Sequence, residues 1–192
     1  MASPRPVAPT TTRVSRTPRQ AIIRYALADS SLGRMVVAST DRGVCLVAFG
    51  DSDAELTGEV ARRFPRDEVE AAGAEKLAWL DAVLGLVDAS AGPDASAAAR
   101  LPLDVRGTEF QQQVWCALRE IPRGQTITYS HLATAIGRPT AARAVASACG
   151  ANPVAVVVPC HRVIGADGAL TGYRWGVDRK RLLLEREGSS AR

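Results

Sequence analysis

The chain has 192 residues, 46% of them hydrophobic and 23% charged, with a net charge of +4, enough for one sizeable domain or two small ones with real cores. Four dispersed cysteines (Cys45, Cys116, Cys149, Cys160), no CxxC pair and only two histidines argue against a zinc site of the usual spacing. No apolar run approaches membrane-spanning length, and no signal-peptide core is visible at the N-terminus, so free thiols point to a reducing, cytoplasmic setting.

The charge is segregated. Residues 1–20 carry four arginines (Arg5, Arg13, Arg16, Arg19) and no acid, and are rich in Pro, Thr and Ser without apolar periodicity; they read as a disordered basic tail. Residues 21–100 hold 8 basic and 13 acidic side chains, whereas 101–192 hold 12 basic and 7 acidic. A basic second half fits a polyanionic partner, although a merely solvated basic face would look the same.

Three short apolar runs follow the tail: Ile22–Leu27, Gly33–Ala38 and Val44–Phe49. Asp29-Ser30-Ser31 and Asp41-Arg42-Gly43 punctuate them, which predicts a small antiparallel meander. Helical periodicity then appears over Asp53–Phe64 and Ala74–Val87, and the Ala-, Ser-, Gly- and Pro-rich stretch 89–100 reads as a linker. The predicted organisation is a tail (1–20), an N-terminal α/β domain with its linker (21–100) and a C-terminal domain (101–192).

The second half reads as mainly helical. Thr108 can cap a helix through Phe110, Val114, Trp115 and Leu118, which Ile121-Pro122-Arg123-Gly124 ends. Thr128 or Ser130 can cap a short helix over Tyr129–Ile136; Gly137-Arg138-Pro139 breaks it, and Thr140–Gly150 forms another. Helix, Gly-containing turn and helix make the outline of a helix-turn-helix. Its second helix offers Thr140, Ala141, Ala142 and a single long side chain, Arg143, where base-reading helices carry several polar groups. Small residues permit close backbone approach while reading almost nothing, so binding without sequence preference is expected.

Val154–Val158 then reads as a buried strand or extended segment, stopped by Pro159 and followed by Cys160 and His161. A thiol beside an imidazole suggests a nucleophile, because a nearby base is how a protein makes a thiolate near neutral pH. A buried cysteine is more often a small core residue, and sequence neighbours need not touch, so the pair alone leaves both readings open. Asn152-Pro153, just upstream, has the chemistry to brace a turn.

Taken together, Tyr129, Arg143, Asn152-Pro153, Pro159-Cys160-His161-Arg162-Val163 and Gly172-Tyr173-Arg174-Trp175-Gly176 closely resemble the O6-alkylguanine-DNA alkyltransferases (methylated-DNA–protein-cysteine methyltransferases), most nearly the Ada-type bacterial members. The likeness runs from about Ile22 to Gly188. It implies an α+β architecture: a small ribonuclease H-like N-terminal α/β domain with antiparallel strands, then a mainly helical domain with a winged-helix-like helix-turn-helix. It also implies a single-turnover, irreversible transfer of an alkyl group from O6-alkylguanine in double-stranded DNA to Cys160 after nucleotide flipping. The resemblance further implies that no cofactor or metal takes part and that the protein acts as a monomer, and it leaves O4-methylthymine open as a second substrate. By the same resemblance His161 acts through a water as base, Glu187 orients His161, and Asn152 braces the site. Arg143 fills the gap left by the flipped nucleotide, Tyr129 serves extrusion and hydrogen-bonds the guanine, and Thr140, Ala141 and Ala142 meet DNA. Val163, Tyr173, Arg174 and Trp175 line the substrate pocket.

The departures carry expectations too. The cysteine-rich zinc domain of Ada-type members and the structural zinc of the human member have no ligands here, so Ada-type transcriptional activation is not expected. Trp175 stands where the human member has glycine, and Ala155 where it has proline. The indole should narrow the pocket, favour methyl over large alkyl groups and weaken inhibition by O6-benzylguanine. The rival readings are a non-enzymatic binder of alkylated DNA, against which Cys160 argues, a helix-turn-helix regulator, against which the alanine-rich helix argues, and a thiol hydrolase, which would turn over.

Overall fold

The computed structural model describes residues 21–72, 79–88, 101–170 and 172–189. The expected tail and linker lie outside these residues, as does the start of the second predicted helix.

The three apolar runs form strands β1 (Ile22–Ser30), β2 (Gly33–Thr40) and β3 (Gly43–Phe49), paired antiparallel as a meander. Almost all of β2 and the whole of β3 are buried, which explains their near-continuous apolar sequence. Alternate residues of β2 serve different cores. Val36 and Ala38 join Leu56, Val60 and Phe64 on one face, whereas Met35 and Val37 join Val114, Trp115 and Leu118 of the second half on the other. The first of these faces is covered by helix α1 (Asp53–Arg63), capped by Ser52, whose side chain accepts from the Glu55 N–H, and closed by Arg62 and Arg63 in its last turn.

A fourth strand, β4 (Glu68–Ala71), was not legible in the sequence. It pairs parallel to β1, so the sheet order is β3-β2-β1-β4. All four of its residues are exposed and two are glutamates, so nothing in its sequence demanded a buried strand. Helix α2 (Leu80–Asp88) then packs Val83 and Val87 into the core.

The second half contains α3 (Glu109–Arg119), β5 (Ile127–Thr128), α4 (Tyr129–Ala135), α5 (Ala142–Gly150), β6 (Val163–Ile164) and α6 (Val177–Arg186). Thr108 caps α3 in a reciprocal capping box with Gln111, and Thr128, not Ser130, caps α4. Gly137, at φ +72°, closes α4, with the Arg138 N–H bonded back to the Ala133 carbonyl. Helix α5 starts at Ala142, two residues later than expected, and its N-cap Ala141 offers no side-chain cap. The two-residue parallel pair β5–β6 was not anticipated. No helix among the described residues is long and apolar enough to cross a membrane.

The halves join along the free edge of β3. The Val44 N–H donates to the Pro102 carbonyl (2.9 Å) and the Asp104 N–H returns to Val44 (3.0 Å). Further along, the Val47 N–H donates to Pro153 (2.9 Å) and the Ala155 N–H to Val47 (3.0 Å). The chain just before Cys160 is thus fastened to the sheet. Arg106 adds a two-pronged ion pair to Asp67, at 2.6 and 2.9 Å.

Gly43 makes the first of these joints possible. A Cβ there would sit 2.4 Å from the Pro102 carbonyl oxygen, at a φ of +154°. Gly43→Ala is expected to cost about 2–3 kcal/mol, measured by urea unfolding, because a backbone-to-backbone clash has no flexible side chain to absorb it.

Candidate active site

The site is organised by Asn152, which is 2% exposed. Its Oδ1 accepts from the Val154 N–H (3.0 Å), while its Nδ2 donates to the Val158 carbonyl (2.8 Å) and to Cys160 Sγ (3.2 Å). These bonds take the backbone groups at both ends of Val154–Val158, and the segment is consequently not a strand. Only Val154 makes a bridge to β3; the Val158 N–H folds back to the Val154 carbonyl (3.0 Å), and Val156 sits at φ +67°. A β-branched residue in the left-handed region is strained, and the fold holds it there because the loop is bonded at both ends and buried. The apolar run that suggested a strand is a buried turn that aims the next residue.

Pro159 leads into a single 3-10 turn, Cys160–Arg162. This turn sends consecutive side chains to different partners. Cys160 meets Asn152, while His161 Nε2 lies 3.0 Å from Glu187 Oε1, at the C-terminal cap of α6. Arg162 grips the same carboxylate side-on, Nε to Oε2 at 2.9 Å and Nη2 to Oε1 at 2.8 Å, and its Nη1 donates to the Ile121 carbonyl at 2.6 Å. Burial opposes the ionised form of Glu187, but the bonds from His161 and Arg162 outweigh it and bring its pKa down to about 2. His161 is wholly buried, which lowers its pKa despite the Glu187 carboxylate and keeps the imidazole neutral. A neutral ring facing an ionised carboxylate donates from Nε2, leaving Nδ1 as the acceptor. Nδ1 is buried and has no protein partner.

Burial raises the pKa of Cys160, while the Asn152 donor and the positive charge of Lys180 act in the opposite sense. Lys180 is fully buried on α6, and its Nζ donates to the Val163 carbonyl at 2.6 Å. Cys149 and Cys45 are both pushed up to about 12, chiefly by burial, and Cys116 is exposed. Tyr129 opens α4 with its hydroxyl facing Gly172; burial and the nearby thiols raise it to about 12, so it remains a proton donor.

Cys160 opens onto a narrow cleft lined by Cys149, Gly150, Asn152, Gly172, Tyr173, Arg174 and Trp175. Its volume is about 10 Å³, room for roughly one water. Tyr173, Arg174 and Trp175 are on the cleft wall, whereas Val163 is buried and is not. Arg143 is exposed in the first turn of α5, with exposed Thr140 and half-buried Ala141 and Ala142 beside it. Six residues on, the same helix delivers Cys149 to the cleft, about 9 Å away along the axis.

Sequence reasoning gave no role to Arg162, Lys180 or Cys149. Lys180 had a usable signal: Lys180, Leu183, Leu184 and Glu187 follow a spacing of three, four and seven, which puts the lysine on the buried face of α6.

Residues 23–82 match the family model for the 6-O-methylguanine DNA methyltransferase ribonuclease-like domain, and residues 109–189 match that family's DNA binding domain. The chain is 49% identical over 168 residues to the bifunctional transcriptional activator/DNA repair enzyme Ada of Escherichia coli, covering 88% of this chain but 46% of Ada. It thus spans about half the length of the Ada proteins it matches. A methylated-DNA–protein-cysteine methyltransferase of Methanosarcina acetivorans is 40% identical, with 86% of this chain and 98% of that protein covered. The crystal structure of Mycobacterium tuberculosis OGT in complex with DNA superposes with a TM-score of 0.68 at 36% identity, covering 86% of this chain and 92% of that one.

The Glu187 carboxylate ties acid stability to the site. Its pKa falls from 4.5 in the unfolded chain to about 2, so its stabilisation is complete above pH 4.5 and is lost as the pH drops towards 2. Glu187→Gln should flatten that part of the stability–pH curve and cost about 3 kcal/mol at pH 7, read by thermal unfolding across pH, because Arg162 loses its counter-charge.

Proposed function

The chain belongs to the 6-O-methylguanine DNA methyltransferase family, and from that premise we propose that it repairs DNA by direct reversal, moving a methyl group from O6-methylguanine to Cys160. The observation that carries this reading is the divergence at the 3-10 turn: Cys160 faces the cleft while the adjacent His161, held by Glu187, keeps a bare Nδ1.

In this mechanism His161 Nδ1, through a bridging water, takes the Cys160 proton. The Asn152 N–H and the Lys180 charge stabilise the thiolate that results. The sulfur attacks the sp³ methyl carbon as the carbon–O6 bond breaks, and the electron pair passes to the guanine. The Tyr129 hydroxyl, kept protonated by its surroundings, donates a hydrogen bond or proton to the leaving base. The product is a thioether, which no neighbouring nucleophile cleaves, so each chain acts once. No cofactor is required.

The target atom is out of reach inside a duplex, so the nucleotide must be flipped out, and the cleft, with room for about one water as it stands, must open to admit the base. Arg143, exposed at the start of α5, is the side chain suited to fill the gap, and the small residues around it allow close approach without reading sequence. We assign double-stranded DNA as the partner, a monomer as the working form and the cytoplasm, where thiols stay reduced, as the setting.

Incubation with an O6-methylguanine duplex should leave one methyl group per chain, on the Cys160 peptide, as read by mass spectrometry, and none in Cys160→Ser. DNA binding without an adduct would instead favour a lesion-binding protein. Arg143→Ala should slow methyl transfer from duplex DNA by roughly 10- to 100-fold, the scale of a few kcal/mol of uncompensated unstacking, while Cys160 reacts with free O6-methylguanine at the native rate.

A further inference from the structure

The cleft wall is held from the other half of the molecule. Arg174 Nη2 reaches Glu59 Oε1 on α1 at 2.5 Å, across 115 residues of sequence. The Arg174 guanidinium also lies over the Trp175 ring, 4.8 Å from its centroid. Trp175 lines the cleft and packs against both hydrophobic cores, and its carbonyl accepts from Arg179 Nη1 at 2.8 Å. Glu59 is nearly buried for a carboxylate, 8% exposed, and also holds Arg62 at 3.0 Å; Arg63 bears on Arg174 with like charge. One carboxylate thus offsets part of the repulsion among these arginines.

We propose that Glu59 is a specificity-determining positioning residue: by holding Arg174 it keeps the Trp175 indole over the Cys160 cleft and so limits the size of group that reaches the thiol. That this group is an alkyl substituent on guanine rests on the repair reading; the latch itself does not. Without the Glu59 charge, Arg174 faces Arg62 and Arg63 unscreened, leaves the indole, and the cleft widens.

The full chain, labelled at Cys160 with iodoacetamide and separately with the bulkier N-benzylmaleimide and read peptide by peptide, tests this. Glu59→Gln should raise N-benzylmaleimide labelling roughly tenfold while iodoacetamide labelling stays within about twofold, the effect of losing one charge-assisted hydrogen bond. Arg174→Gln should match it, the double variant should add nothing, and Trp175→Gly sets the upper limit. An unchanged ratio of the two reagents in both single variants overturns the latch, as does additivity in the double variant. Buried Cys45 reports unfolding by becoming labelled; if Glu59→Gln unfolds, Arg174→Gln decides by the same ratio. Methyl transfer from an O6-methylguanine duplex is scored in parallel. Its loss in every protein, native included, counts against the repair reading while the labelling ratio still judges the latch.

Discussion

Everything at the site depends on how one amide spends its hydrogen bonds. Asn152 bonds the backbone at both ends of the valine-rich loop and also touches the sulfur. The loop therefore closes into a turn, the strain at Val156 is tolerated, and Cys160 emerges in one orientation. Because α5 ends at Gly150, just before Asn152, the amide also couples the exposed helix bearing Arg143 to Cys160. The exposed helix start and the thiol are thus two ends of one bonded connection.

Around the thiol, opposing effects are balanced. Burial favours the neutral, unreactive form of the Cys160 thiol. The amide donor and the buried Lys180 act the other way, and the adjacent imidazole is held neutral by its own burial. Glu187 serves both sides of this balance. Its ionised carboxylate fixes the His161 tautomer, while Arg162 offsets the cost of keeping that carboxylate out of water.

The regular parts of the fold were legible because period and punctuation agreed. The meander announced itself by three apolar runs and two polar turns, and α3 by Thr108 and Gln111. The Pro-Cys-His-Arg block and its upstream asparagine were visible too. Two kinds of feature were not. Strand β4 is stabilised by backbone pairing to β1, and its four residues, two of them glutamates, are too few and too polar to mark a strand. The valine run was misleading for the opposite reason: its composition suits a strand, but a side chain outside it claims its terminal hydrogen bonds. The contact between Glu59 and Arg174 lay beyond reach, since no local pattern relates residues so far apart.

The two edges of the sheet have different fates during synthesis. β4 is short, exposed and acidic, and such an edge discourages pairing with other chains from the moment it forms. The β3 edge is fully apolar, and its partners, Pro102–Asp104 and Pro153–Ala155, leave the ribosome more than fifty and more than a hundred residues later. Until then the N-terminal half carries an open, adhesive strand. Its safe folding is tied to the arrival of the segment that leads to Cys160, so a truncated chain would be prone to self-association.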